Sequence, residues 1–112
     1  MNDKILNEVD SIITLIKDSK EYKEYLFLKE KLEKNEKAKS LIKEIKNLQK
    51  ELVKKEAEGM GATDLDKKIN DNLEKLNRIP LYVDFINIQD ELNNIYQDIK
   101  NRLDDYFYDK LN

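Results

Sequence analysis

An all-α fold follows from three features of the sequence: the spacing of its apolar residues, its scarcity of turn formers, and a pattern that occurs twice. Apolar positions recur at helical steps of three and four through most of the 112 residues, and only two Gly and one Pro interrupt them. Hydrophobic residues make up 39% and charged residues 40%, a balance that suits long amphipathic helices better than a thick core. The repeated pattern has an offset of sixty residues. Tyr22, Tyr25, Leu26, Leu28 and Leu32 answer Tyr82, Phe85, Ile86, Ile88 and Leu92, while Ile5, Val9, Ile13 and Ile16 answer Leu65, Ile69, Leu73 and Leu76. The expected architecture is therefore an elongated bundle of about five helices, two of them long, in a single domain spanning residues 1–112. Within it a helix-break-helix unit occurs twice.

The first helix is expected from Asp3, as N-cap, to Lys17, with Ile5, Val9, Ile12, Ile13 and Ile16 on one stripe. Asp18 and Ser19 supply a break and a cap for the second, which carries Tyr22, Tyr25, Leu26, Leu28 and Leu32. Asn35 is the next expected cap. From Glu36 to Glu58 the residues Ala38, Leu41, Ile45, Leu48 and Leu52 follow a heptad seam that Ile42 and Val53 widen. Gly59-Met60-Gly61-Ala62 ends that helix, since glycine accepts the left-handed conformation favoured there. Thr63 and Asp66 have the spacing of a capping box that opens a fourth helix, carrying Leu65, Ile69, Leu73 and Leu76. Pro80 ends it by forcing Ile79 out of the helical region, and suits the first position of a last helix reaching about Lys110. Along this helix Phe85, Ile88, Leu92, Ile95, Ile99, Leu103 and Tyr106 form the stripe.

The inventory of reactive side chains is short. There is no Cys, which excludes disulfides and thiolate-bound metal, and no His, which removes the usual base for a Ser nucleophile. No cofactor and no catalytic residue are expected. Two acid or basic constellations suggest other chemistry. Glu30, Glu33 and Glu36 lie three apart, as in all-helical nucleotide hydrolases that hold magnesium, but Lys29, Lys31, Lys34 and Lys37 interleave them and favour a solvated face. Lys39, Lys43, Lys46 and Lys50, with the aromatics Tyr96, Tyr106, Phe107 and Tyr108, suggest an RNA-binding bundle. Against it, those aromatics sit on the acidic last helix, so direct nucleic-acid binding is not the favoured reading. Gly59-Met60-Gly61 lacks the Lys-Ser/Thr of a phosphate loop and is a helix-helix turn.

Charge is unevenly placed. Lys29 to Lys55 holds ten Lys against five Glu, and Asp84 to Asp109 holds seven acids against Lys100 and Arg102. Basic and acidic faces of this kind complement each other within a bundle or across a subunit contact. The N-terminus lacks a signal-peptide pattern and no run is long enough to span a membrane, so a cytoplasmic protein is expected.

Three groups of residues carry a family resemblance: Ser19-x-x-Tyr22-x-x-Tyr25, the seam Leu41, Ile42, Ile45 and Leu48 with Gln49, and Pro80 with Phe85 five residues on. In these the chain resembles the YlbF/YmcA family of small all-helical bacterial regulatory proteins. The resemblance implies a self-associating protein that is not an enzyme. It also implies partners among related helical proteins and the RNA-decay machinery, in a complex that influences competence, biofilm formation and sporulation through RNase Y-dependent processing of messenger RNA. Complex-forming members of the family are associated with iron–sulfur clusters held by cysteine, which this chain cannot supply. Where the family often has Asn before the proline, this chain has Ile79.

Packing positions and a contact between copies complete the expectations. Tyr22, Tyr25, Leu32, Leu41, Ile45, Leu48, Leu52, Tyr82, Phe85 and Leu92 are the expected core and repeat-packing residues, with the four aromatics mostly buried. A last helix on the order of 45 Å long outruns its neighbours. The surplus stripe, Ile95, Ile99, Leu103 and Tyr106, is the expected interface of a homodimer or larger oligomer.

Overall fold

The structure, a computed structural model, describes residues 2–111, with side chains described for residues 2–109. The described residues form five helices: α1 (Asp3–Lys17), α2 (Lys20–Glu33), α3 (Glu36–Ala57), α4 (Thr63–Asn77) and α5 (Pro80–Leu111). No strand occurs among the described residues. The chain divides into two compact units, Leu28–Phe85 and a second made of Met1–Phe27 with Ile86–Asn112.

The breaks between helices are built by local chemistry. Ser19 Oγ accepts the Tyr22 N–H at 3.1 Å and donates to the Ile16 carbonyl, so one side chain closes α1 and opens α2. Asn35 does the same work before α3, its Oδ1 accepting the Ala38 N–H at 2.9 Å. Gly59, at φ +74°, ends α3: its N–H reaches the Glu56 carbonyl at 3.1 Å and the Met60 N–H the Lys55 carbonyl at 2.9 Å. That pair of bonds is a Schellman motif, and the left-handed residue it needs explains the glycine. Pro80 is the first residue of α5, where a missing N–H costs nothing.

Two expected caps differ. Asn2, not Asp3, occupies the N-cap of α1 and makes no side-chain cap bond. Asp3 is already helical, where its carboxylate acts on the helix dipole. Likewise α4 starts one residue earlier than a Thr63 cap requires: Ala62 is the N-cap, and its carbonyl accepts the Asp66 N–H at 3.0 Å. With Thr63 inside the helix its hydroxyl cannot close a capping box, and Asp64 and Asp66 act through the dipole instead.

The Leu28–Phe85 unit is a helical hairpin with an elbow at each end. Helices α3 and α4 pack side by side, and Leu32, Ala38, Ile45, Ile69 and Leu76 form the buried cluster. Leu41, Ile42, Leu48, Leu52, Leu73, Ile79, Leu81, Tyr82 and Phe85 pack around it, half-buried. Ala38 is fully enclosed, its small side chain admitting the close approach of its neighbours directly after the Asn35 break. Asn72 is the one polar residue buried among the described residues, on the α4 face that also buries Ile69 and Leu76. A lone polar group in an apolar seam favours the register that satisfies it.

In the other unit, made of α1, the start of α2 and most of α5, Ile88 is the buried apolar side chain among the described residues. The Tyr22 and Tyr25 rings stack with centroids 6.1 Å apart. These two rings, like Tyr82 and Phe85, are partly buried, neither enclosed nor exposed. Each lies in the first two turns of its helix, where a large ring covers the edge of a core instead of filling it.

Candidate functional site

Exposed apolar surface is the feature that most needs a partner. Helix α1 buries none of its residues. Ile5, Leu6, Val9, Ile12 and Ile13 remain 40–59% exposed, and at 100° per residue they fall within one arc of the helix with Ile16. The end of α5 repeats the situation: Leu103, Tyr106, Phe107 and Tyr108 are 52–73% exposed. There Tyr106 and Phe107 meet edge to face, centroids 5.8 Å apart, which orders two rings that have no core to enter. Each stretch presents on the order of a few hundred Å² of apolar surface, the size of the largest patch on a monomer, which is often functional.

The four expected interface residues divide along this helix. Ile95 and Ile99 are half-buried, whereas Leu103 and Tyr106 are exposed at 56% and 58%. Of the expected core set, Leu32 and Ile45 are buried, Leu41, Leu48, Leu52, Tyr82 and Phe85 pack against the buried cluster, and Tyr22, Tyr25 and Leu92 are half-buried. The sequence reading placed the α1 stripe but assigned it no partner, and so missed it as an interaction surface.

The remaining candidates are solvated. Glu30, Glu33 and Glu36 are exposed and split between two helices by the Asn35 break, and Glu30 is held by Lys34 at 3.1 Å. No group of three or more metal-ligating side chains comes together among the described residues. Lys39, Lys43, Lys46 and Lys50 are exposed on α3. Beside them an open groove is lined by Lys46, Gln49, Lys50 and Val53. No described helix is long and apolar enough to cross a membrane.

The sequence matches a family of known proteins. Residues 5–105 match the family model described as Control of competence regulator ComK, YlbF/YmcA. The chain belongs to the YlbF/YmcA family. Comparison with curated proteins gives no match. The YlbF/YmcA match runs from Ile5 at the start of α1 to Asp105 near the end of α5, so it takes in the α1 stripe and Leu103, while Tyr106, Phe107 and Tyr108 lie beyond it. Its description is that of a regulatory family, one that controls a competence regulator.

Proposed function

We propose that this chain is a non-enzymatic interaction module of the cytoplasm that self-associates through its apolar stripes and serves as an accessory in a complex affecting RNase Y-dependent processing of messenger RNA, and with it competence, biofilm formation and sporulation. The observation that carries the reading is the bare face of α1 and of the end of α5, within a chain whose hairpin core is otherwise closed. Family membership supports the regulatory role. A helix that exposes five large apolar side chains along one face is not stabilised by its own chain at those positions, and a second apolar face supplies what is missing. Twofold pairing of identical surfaces is the commonest way for a single chain to do this.

The test is mass together with partner recovery. Light scattering at micromolar concentration should give at least twice 13.4 kDa. The double change Ile99→Asp and Leu103→Asp should reduce it to the monomer value, with helical circular dichroism retained. The wild type should recover RNase Y from its native cell, and the double variant should lose it. A wild type that stays monomeric at high concentration and recovers no part of the RNA-decay machinery refutes the reading.

A further inference from the structure

Five lysines of α3, Lys39, Lys43, Lys46, Lys50 and Lys54, follow one another at steps of four, three, four and four. At 100° per residue that spacing confines them to one strip of the helix about 80° wide, with a length of roughly 22 Å. All five are exposed. The ion pairs formed in this region belong to other lysines, Lys34 with Glu30 at 3.1 Å and Lys55 with Glu51 at 4.0 Å, and none of the five is paired among the described residues. Each has another lysine of the strip three or four residues away, where like charges destabilise a helix. The strip is thus a self-repelling row in which no lysine forms an ion pair with the glutamates of its own helix among the described residues.

Helix α5 carries the opposite row. Glu91, Asp98 and Asp105 are spaced by seven and extend over roughly 21 Å, the length of the lysine strip, and Asp109 adds a fourth acid one turn beyond. These acids are exposed and likewise unpaired among the described residues, with Lys100 and Arg102 interspersed among them. The lysines share the acids' period, since Lys39 to Lys46 and Lys43 to Lys50 are also steps of seven. Two helices laid side by side with matching seven-residue charge rows pair every second turn, as flanking charges do in coiled coils.

We infer that the lysine strip of α3 in one copy of this chain docks on the Glu91, Asp98 and Asp105 row of α5 in another. Val53, 66% exposed in the groove next to Lys46 and Lys50, gives that contact an apolar seat. A polyanion such as RNA is the competing occupant of a basic strip. The chain's own net charge of −3 opposes RNA, while the acid row matches the strip in length and period. This inference rests on the self-association proposed above and specifies its ionic part: the charges set which surfaces meet, and the apolar stripes hold them.

Trans-complementation separates a contact between copies from any arrangement within one chain. One variant carries Lys43→Glu, Lys46→Glu and Lys50→Glu, and the other Glu91→Lys, Asp98→Lys and Asp105→Lys. All six sites are exposed, so both should keep the wild-type circular dichroism. In sedimentation velocity the wild type should associate with a dissociation constant that rises roughly tenfold between about 50 and 500 mM salt. Each variant alone should associate at least about tenfold more weakly, and an equimolar mixture should regain wild-type association, because the reversed rows again match across copies. Variants that associate as the wild type does, or a mixture that regains nothing, overturn the inference while leaving self-association standing. A wild type that is monomeric at every salt concentration removes both. Anisotropy of a labelled uridine oligonucleotide supplies the remaining arm. Binding by the wild type that is lost in the lysine variant, with association unchanged, assigns the strip to nucleic acid and overturns the inference.

Discussion

Helices α1 and α4 are equal in length, fifteen residues each, and carry matching apolar positions sixty residues apart, yet they have opposite fates. In α4, Leu65, Ile69 and Leu76 are at most 7% exposed; their counterparts in α1, Ile5 and Val9, are 59% and 45% exposed, and Ile16 is half-buried. The difference lies in the neighbour. The five-residue turn with Gly59 folds α4 directly back along the 22-residue α3, which covers it from end to end. Ser19 turns the chain from α1 into the shorter α2, in which Leu28 and Leu32 alone are buried. An apolar stripe therefore declares that a partner is needed, and connection length and neighbour length decide whether the chain itself provides one.

The sharpest way to break that comparison is to truncate matched positions. Leu76→Ala should lower unfolding free energy by about 3 kcal/mol, since the side chain is enclosed and leaves a cavity. The counterpart Ile16→Ala should cost under about 1 kcal/mol in dilute protein, and more as concentration rises if α1 is covered by another copy. Equal losses in urea titrations at nanomolar concentration would mean that α1 is covered without a second chain.

An intermediate effect belongs to the elbow between α4 and α5. Phe85 packs against the hairpin cluster while half-exposed, so Phe85→Ala should cost roughly 2 kcal/mol, less than the 3 to 5 of an enclosed ring. Thermal unfolding followed by circular dichroism measures this, and a loss below about 1 kcal/mol would place the ring outside the core.

The smallest effects compare two helix starts. Asn35→Ala removes a bond to the Ala38 N–H and should cost about 1 kcal/mol, whereas Thr63→Ala, with no cap bond to lose, should stay within about 0.5 kcal/mol. A Thr63 loss as large as that of Asn35 would restore the capping box.

Helix count and type were legible because spacing and punctuation agreed: Ser19, Asn35, Gly59 and Pro80 stand at the boundaries where their backbone preferences place them. Caps at Asp3 and Thr63 were misread because several polar residues compete within one turn, and a shift of one residue decides which backbone remains non-helical. The exposure of α1 could not be read from its own residues, because the covering helix is a property of topology and not of period. Charge rows on α3 and α5 were visible as unequal totals, but only the helix register turned those totals into two strips of equal length.

The two units also differ in how they use the order of synthesis. The hairpin is one uninterrupted segment, Leu28–Phe85, whereas the unit holding α1 joins the first residues of the chain to the last. On a translating ribosome, α1 emerges about seventy residues before the second part of its unit begins, a wait of roughly 3 to 14 s at ordinary elongation rates. Throughout that interval its isoleucine-rich face is open to chaperones and to neighbouring nascent chains on the same message. A polysome holds many such faces in the same open state at one time.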